Sequence, residues 1–175
     1  MTIPSTILEQ EGIRDVLQRM ALAARTAPKA RGVDEIVTLA LMGEEKDRLA
    51  DEMQRIGEEK NLAFFVRDAK NVRTAQAVLV IGFRNKTRGV ANCGNCGYRD
   101  CAENLQHQGV CALGVVDLGI ALGSAVSVAA SAHVDNRIMF TVGKAVLSLG
   151  LLPEVHTAYG IPLSATGKSP FFDRG

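Results

Sequence analysis

Cys93, Cys96, Cys101 and Cys111 are the only cysteines of this 175-residue chain, and all four fall within nineteen positions. The run Cys-Gly-Asn-Cys-Gly-Tyr-Arg-Asp-Cys is followed by nine residues and then Cys111, so the gaps are two, four and nine. Gaps this short and this rich in glycine do not suit ordinary buried thiols. Four thiolates on one compact loop are a metal-ligand set, and an iron–sulfur cluster is the leading candidate. In a [4Fe–4S] centre, closely spaced cysteines supply two or three corners and a more distant one completes the cube. Gly94 and Gly97 allow the tight turns that aim backbone N–H groups at the sulfurs. Structural zinc also takes four thiolates, but usually from two separated Cys-x-x-Cys knuckles, and only one such pair is present. A thioredoxin-like use of that pair leaves two cysteines unexplained and lacks a neighbouring tryptophan or proline. Iron–sulfur therefore stands ahead of zinc, and zinc ahead of free, redox-active or disulfide-forming thiols.

The elements that must position this loop follow from periodicity. Apolar residues at helical spacing (Ile13, Val16, Leu17, Met20, Ala24, Ala27) predict a helix over 7–27, ended by Pro28 and Gly32. A short apolar run predicts a buried strand over 35–42, and Gly43 closes it. A charged helix over 44–60 carries Leu49, Met53 and Ile56 on one face. Residues 62–66 fit either a short edge strand or more helix. The clearest buried strand is 75–83, and the cysteine loop starts soon after it. Asp100 with Glu103 forms a capping-box pattern, so Cys101 opens a short helix ending at Gly109, its positive end toward any anionic cluster. Helices over 115–133 and 136–149 and a last strand over 155–165 complete the order. That order argues for a single α+β domain, 1–175, with 93–111 as its cluster-binding segment.

Other residues carry weaker signals. Arg84, Lys86, Arg88 and Arg99 flank the cysteine loop, either to offset cluster charge or as a solvated basic loop, with equal weight. His107 lies inside the segment as a modulator or substitute ligand, although a surface helix histidine is the commoner case. His133 and His156 are scattered. Asp135, Asn136 and Arg137 read as a turn that caps the next helix. Lys168 and Arg174 are tail charges able to meet an anion but more often solvated, and Phe171 and Phe172 pin the tail to the body or to a second subunit. No paired carboxylates, Ser–His–Asp arrangement or phosphate-binding glycine loop stands out.

Composition narrows the class. With 47% apolar residues and a formal net charge of +1, neither disorder nor bulk electrostatic binding of nucleic acid is indicated. The most apolar stretch, 110–132, is broken by Asp117, glycines and serines, which favours a buried small-residue helix over a membrane span. The first ten residues do not follow a signal-peptide pattern, and clustered thiols suit the cytoplasm.

Three resemblances extend this reading. The nine-residue cysteine run resembles the cluster module of corrinoid iron–sulfur proteins and of electron-transport complex subunits, where the last gap is usually longer. Over nearly its whole length the chain resembles an uncharacterised prokaryotic family containing a ferredoxin domain (domain of unknown function 2148). The matching features are 93–111, Asp117-Leu-Gly-Ile-Ala-Leu-Gly-Ser-Ala, Gly160-Ile-Pro-Leu-Ser-Ala and Lys168-Ser-Pro-Phe-Phe-Asp-Arg. That resemblance implies cluster binding. A fainter one is to nitroreductase-like flavoproteins, through Ala23-Ala-Arg-Thr-Ala-Pro28, Ala75-Gln-Ala-Val-Leu-Val-Ile81, Ala145-Val-Leu-Ser-Leu-Gly-Leu-Leu-Pro-Glu and Gly160-Ile-Pro. It implies a nitroreductase-like sheet with flanking helices and an inserted cysteine-rich loop. With the small-residue helix over 114–132 and Phe171 and Phe172, it also implies a homodimer.

The flavoprotein signature Arg-Ser-x-Arg is absent, Lys29 and Gly32 stand where Ser and Asn normally follow Ala-Pro, and Arg14, Arg19 and Arg25 lie on a helix rather than an extended arm. Flavin is therefore expected to be absent or weakly held. The resulting expectation is a cytosolic protein with one [4Fe–4S] cluster on Cys93, Cys96, Cys101 and Cys111, relaying single electrons to an unidentified redox partner. A zinc-stabilised interaction protein and a cluster-fed flavoenzyme are the alternatives.

Overall fold

Strand β2 (Ala77–Phe83) is buried at every position because both of its faces meet hydrophobic cores. Ala77, Leu79, Ile81 and Phe83 point into one cluster, while Val78 and Val80 point into the other. Side chains alternate across a strand, so a continuous apolar run is stable only in a sheet covered on both faces. The computed structural model describes residues 1–172. Arg174, considered above as an anion contact, lies outside the described residues.

The covering helices are α1 (Ser5–Thr26) and α5 (Ala112–Ser131) on one face. On the other are α2 (Gly43–Glu59), α3 (Ala63–Thr74) and α6 (Phe140–Ser148). Between them β1 (Ile36–Met42), β2, β4 (Thr157–Ser164) and the two-residue β3 (Asp135–Asn136) pair antiparallel in the order β1-β2-β4-β3. The register sets Val80 opposite Leu39 on one side and Gly160 on the other. A 3-10 turn (Ala30–Gly32) links α1 to β1, and a short α4 (Cys101–Gln106) lies between β2 and α5. The expected α+β architecture holds.

Three boundaries differ from the sequence reading. The ambiguous 62–66 segment enters α3, where Phe65, Asp68, Ala69 and Val72 share a buried face at helical spacing. The helix expected over 136–149 starts only at Phe140. Asp135 and Asn136 instead extend along β4, opposite Ser164 and Leu163, and a Met139–Gly160 bridge continues the pairing. An extended edge satisfies backbone groups of β4 that a helix could not reach. Helix α5 starts at Ala112, three residues earlier than expected, directly after Cys111.

Helix α5 is long and apolar enough, by length and composition, to cross a bilayer. In the fold one face, including Leu118, Ala121, Ala125 and Ala129, packs in the core shared with α1 and the sheet. Its outer face leaves Val115, Val116 and Ile120 exposed. On the opposite layer α6 approaches β4 so closely that a Cβ on Gly143 would stand 1.6 Å from the Ala158 carbonyl oxygen. The tail returns to the body: Phe171 is buried, Arg137 donates to its carbonyl at 3.0 Å, and the same guanidinium lies 5.8 Å from the centre of the Phe172 ring.

The Gly143 contact is with backbone, so it cannot relax by rotamer change. Gly143→Ala is expected to push α6 off β4 and destabilise the protein by at least about 2 kcal/mol, within the range for overpacked cores. Urea unfolding checks this, and a midpoint equal to that of the wild type would contradict the close approach.

Candidate metal centre

The irregular segment 84–100 leaves β2, and its course is fixed by polar anchors rather than by a ladder. Arg84 N–H donates to the Glu35 carbonyl at 3.0 Å, adding one bond beyond the β1–β2 pairing. Asn85 then clamps the far arm of the loop. Its Nδ2 donates to the Gly109 carbonyl at 2.9 Å, and its Oδ1 accepts the N–H of Cys111 at 3.1 Å. One side chain at the exit of β2 thus holds the last cysteine at the start of α5.

Arg88 makes the second anchor. Its side chain is 1% exposed and its Nε donates to Asp117 Oδ2 at 2.8 Å; Asp117 is itself 3% exposed. Nη1 donates to the Lys86 carbonyl at 2.8 Å. The other Asp117 oxygen, Oδ1, accepts the Ala30 N–H at 2.9 Å, and Arg31 Nη1 donates to the carbonyls of Arg88 and Gly89. A buried ion pair therefore joins the loop, the turn after α1 and the second turn of α5.

The short helix α4 is started by Asp100, whose carboxylate accepts the Glu103 N–H at 2.9 Å. That hydrogen bond draws the Asp100 carboxyl below its ordinary value. Glu103 closes back onto the N–H of Arg99, not onto that of Asp100, at 2.6 Å, so the expected capping box is shifted by one residue. Gly94 and Gly97 both adopt positive φ, and Gly97 N–H donates to the Gly94 carbonyl, turning the chain tightly between Cys93 and Cys101.

These constraints bring the four cysteines to one place. Cys93, Cys96, Cys101 and Cys111 line a single pocket together with Arg88, Gly94, Asp100, Asn104, Ala112 and Leu113. Its atom-free space is about 370 Å³ with the mouth included. None of the four is in a disulfide; Cys111 is buried and the other three are half-buried. Among the described residues, no three His, Cys, Asp or Glu side chains gather closely enough to hold a single metal ion. Arg88 Nη2 and Asn104 Oδ1, from residues that line this pocket, are buried and have no hydrogen-bond partner.

The remaining candidates sort differently. Of the flanking cations, Arg84 and Lys86 pair with Glu35 and Glu154, Arg99 is exposed, and only Arg88 is interior. His107 stacks on Tyr98 at 5.3 Å and is not among the residues lining the pocket. His133 follows α5 at positive φ and lines a separate surface groove with Glu9 and Asp135. His156 contacts the Thr157 hydroxyl beside Phe83. Near the end of α1, Lys29 Nζ is buried and accepted by the carbonyls of Ala24, Arg25 and Ala27, while Arg25 is held by Asp34 and the Ile36 carbonyl. Arg19 pairs with Asp15.

Sequence reasoning passed over Asn85, Asn104 and the role of Asp117. The usable signal was Asp117 itself, a carboxylate inside an otherwise apolar helix, which demands a buried partner.

The antiparallel sheet with helices on both faces is of the nitroreductase type. The structure is similar to an oxidoreductase containing FMN, with a TM-score of 0.61 over 89% of this chain and 68% of that one, at 13% identity. It is also similar to a nitroreductase with bound FMN from Desulfitobacterium hafniense, with a TM-score of 0.60 at 15% identity over 88% of this chain and 78% of that one. An NADPH:FMN oxidoreductase from Vibrio harveyi gives 0.58 at 14% identity over 89% and 61% of the two chains. At these identities the likeness is one of fold. In sequence, the chain belongs to the family of uncharacterized proteins containing a ferredoxin domain, whose match spans 107–174 and so includes Cys111. An uncharacterized protein of Archaeoglobus fulgidus is 42% identical over 95% of this chain and 94% of its own length.

Asn85→Ala removes the side chain that bridges Gly109 and Cys111. The Cys111 N–H then loses its partner, and stability is expected to fall by roughly 1–3 kcal/mol. Reaction of the apoprotein with a thiol reagent should show one cysteine, Cys111, modified several-fold faster. Unchanged Cys111 reactivity would show that the clamp is dispensable.

Proposed function

We propose that this protein binds one [4Fe–4S] cluster through Cys93, Cys96, Cys101 and Cys111 and relays single electrons, as a carrier or as a redox module of a larger system. The observation that carries this reading is that all four cysteines, unbridged by disulfides, line one pocket. The cluster, when bound, supplies reversible one-electron storage. The chain supplies the rest. Gly94 and Gly97 shape the near side, Asp100 and Asn85 fix the helices that carry Cys101 and Cys111, and Arg88 sets positive charge alongside. The first turn of the 20-residue α5 lines the pocket, and a helix start of that length favours an anionic group.

Sequence spacing favours a cluster over zinc, because only one Cys-x-x-Cys pair is present where structural zinc usually takes two. A tetrahedral zinc site, with Zn–S bonds of about 2.3 Å, draws its cysteines onto one point. In a cluster each iron takes its own thiolate, so the sulfurs stand further apart around a shared volume. Three half-buried cysteines at the pocket would leave the cluster near enough to the surface for an external partner to exchange electrons with it. Unbridged thiols in this number suit a reducing compartment, the cytoplasm.

We do not extend flavin binding from the neighbours to this chain. Near the end of α1, Lys29 and Arg25 are already held by the protein's own carbonyls and by Asp34, and Arg19, further up the helix, pairs with Asp15. Recruiting them would break those bonds.

Protein purified anaerobically is expected to be brown and to contain about four irons and four sulfides per chain. Cys93→Ser, Cys96→Ser, Cys101→Ser and Cys111→Ser should each lose most of that content. A colourless protein carrying zinc, or full iron and sulfide content in the serine variants, would overturn the proposal.

The exposed outer face of α5 supports a second copy of the chain as partner. Val115, Val116 and Ile120 are exposed there, and Gly119 and Gly123 let another helix approach closely. We propose a homodimer across this face. Light scattering at micromolar concentration should give twice the chain mass, and Val116→Glu combined with Ile120→Glu should give a folded monomer. A wild-type monomer would refute the assignment.

A further inference from the structure

We infer that Arg88 sets the reduction potential of the cluster, with its buried guanidinium, locked by Asp117, presenting Nη2 as an N–H donor to a sulfur of the group held by the four cysteines. The inference rests on the [4Fe–4S] reading and adds a residue to it. Arginine stays charged at any accessible pH and carries five donor hydrogens, so a buried one must find acceptors. Nε has Asp117 and Nη1 has the Lys86 carbonyl, but Nη2 has no partner although it is fully enclosed. Unpartnered buried donors are rare in native proteins and point to a missing group.

Its surroundings indicate which group. Arg88 lines the cysteine pocket, and Nη2 lies by the first turn of α5, 3.5 Å from where a Cβ on Gly114 would stand. Thiolate and sulfide sulfurs are the acceptors that this pocket would bring to Nη2. The guanidinium cannot swing away, because Asp117 is itself tied to Ala30 and the Arg88 carbonyl is tied to Arg31. A fixed cation with an N–H directed at sulfur stabilises the more negative, reduced cluster and raises its potential.

The test is an anaerobic redox titration with dithionite and mediator dyes, followed by visible absorbance and electron paramagnetic resonance, with iron and sulfide assayed on the same samples. Arg88→Gln is read on the fraction of protein that retains iron and sulfide. At a fixed potential its ratio of reduced to oxidised cluster should fall about tenfold, which for one electron is a shift of about 59 mV to more negative values. Asp117→Asn, which removes a nearby negative charge, should shift the ratio the opposite way. Arg88→Lys, which keeps the charge but not the fork of donors, should fall between wild type and Arg88→Gln. Full cluster content with an unchanged potential in Arg88→Gln overturns the inference and leaves the cluster reading standing. If Arg88→Gln does not assemble a cluster, wild-type potentials in both Arg88→Lys and Asp117→Asn overturn it. Absence of iron and sulfide from the wild-type protein itself overturns both.

Discussion

Arg88 and Asp117 place two opposite charges inside a core otherwise filled by aliphatic side chains, and much of the site geometry hangs on that pair. Neither residue has another way to be buried. Asp117 sits on α5 among Leu118, Ala121 and Leu122, where an isolated carboxylate would be heavily penalised. Arg88 sits on a segment without regular structure, free to go to solvent were it not for its partner. Removing one member of such a pair typically costs about 3–5 kcal/mol, because the other charge is left stranded. The net worth of the pair to stability is a separate and smaller quantity. What it fixes is register: the loop before Cys93 must lie against the helix that follows Cys111.

That constraint explains how a long cysteine-bearing excursion fits on the sheet. The segment leaves the end of β2 and returns at α5, and these two elements are already in contact, with Phe83 packed where a side chain at Gly114 would otherwise stand. A loop whose two ends are adjacent in the folded state pays an entropy that grows only slowly with its length. Asn85 at one end and Asp100 in the middle then convert a flexible span into one with few alternatives, each by accepting or donating hydrogen bonds at a helix start.

The fold is shared with flavin-containing oxidoreductases, and the polar side chains of this chain divide between the fold and the site. At the end of α1, Lys29 spends its donors on the last carbonyls of the helix and Arg25 bridges to β1, so cations in this region serve the fold. At this same end of the sheet, where Phe83 closes β2 opposite Ile36, four thiols, a buried guanidinium and the start of a long helix come together. A common sheet and layer order therefore carries no particular chemistry by itself; the side chains at its loops decide.

The sequence by itself determined the elements with strong periodicity and the clustering of the four cysteines. β2 was legible because seven consecutive apolar residues have no stable place except a doubly covered strand, and α2 because Leu49, Met53 and Ile56 recur on one face of a charged helix. Four cysteines within nineteen positions marked the candidate site from sequence alone. Local signals failed where long-range partners decided the outcome. Asp135 and Asn136 looked like a helix cap until the edge of β4 offered them backbone partners, and Glu103 capped Arg99 in place of Asp100. The flanking cations looked equivalent in sequence, and only folding separated Arg88, which meets Asp117 twenty-nine positions away, from Arg84 and Lys86, which stay at the surface. Burial of a charge depends on a partner that no local pattern records, and that is why the tertiary structure alone could single out Arg88.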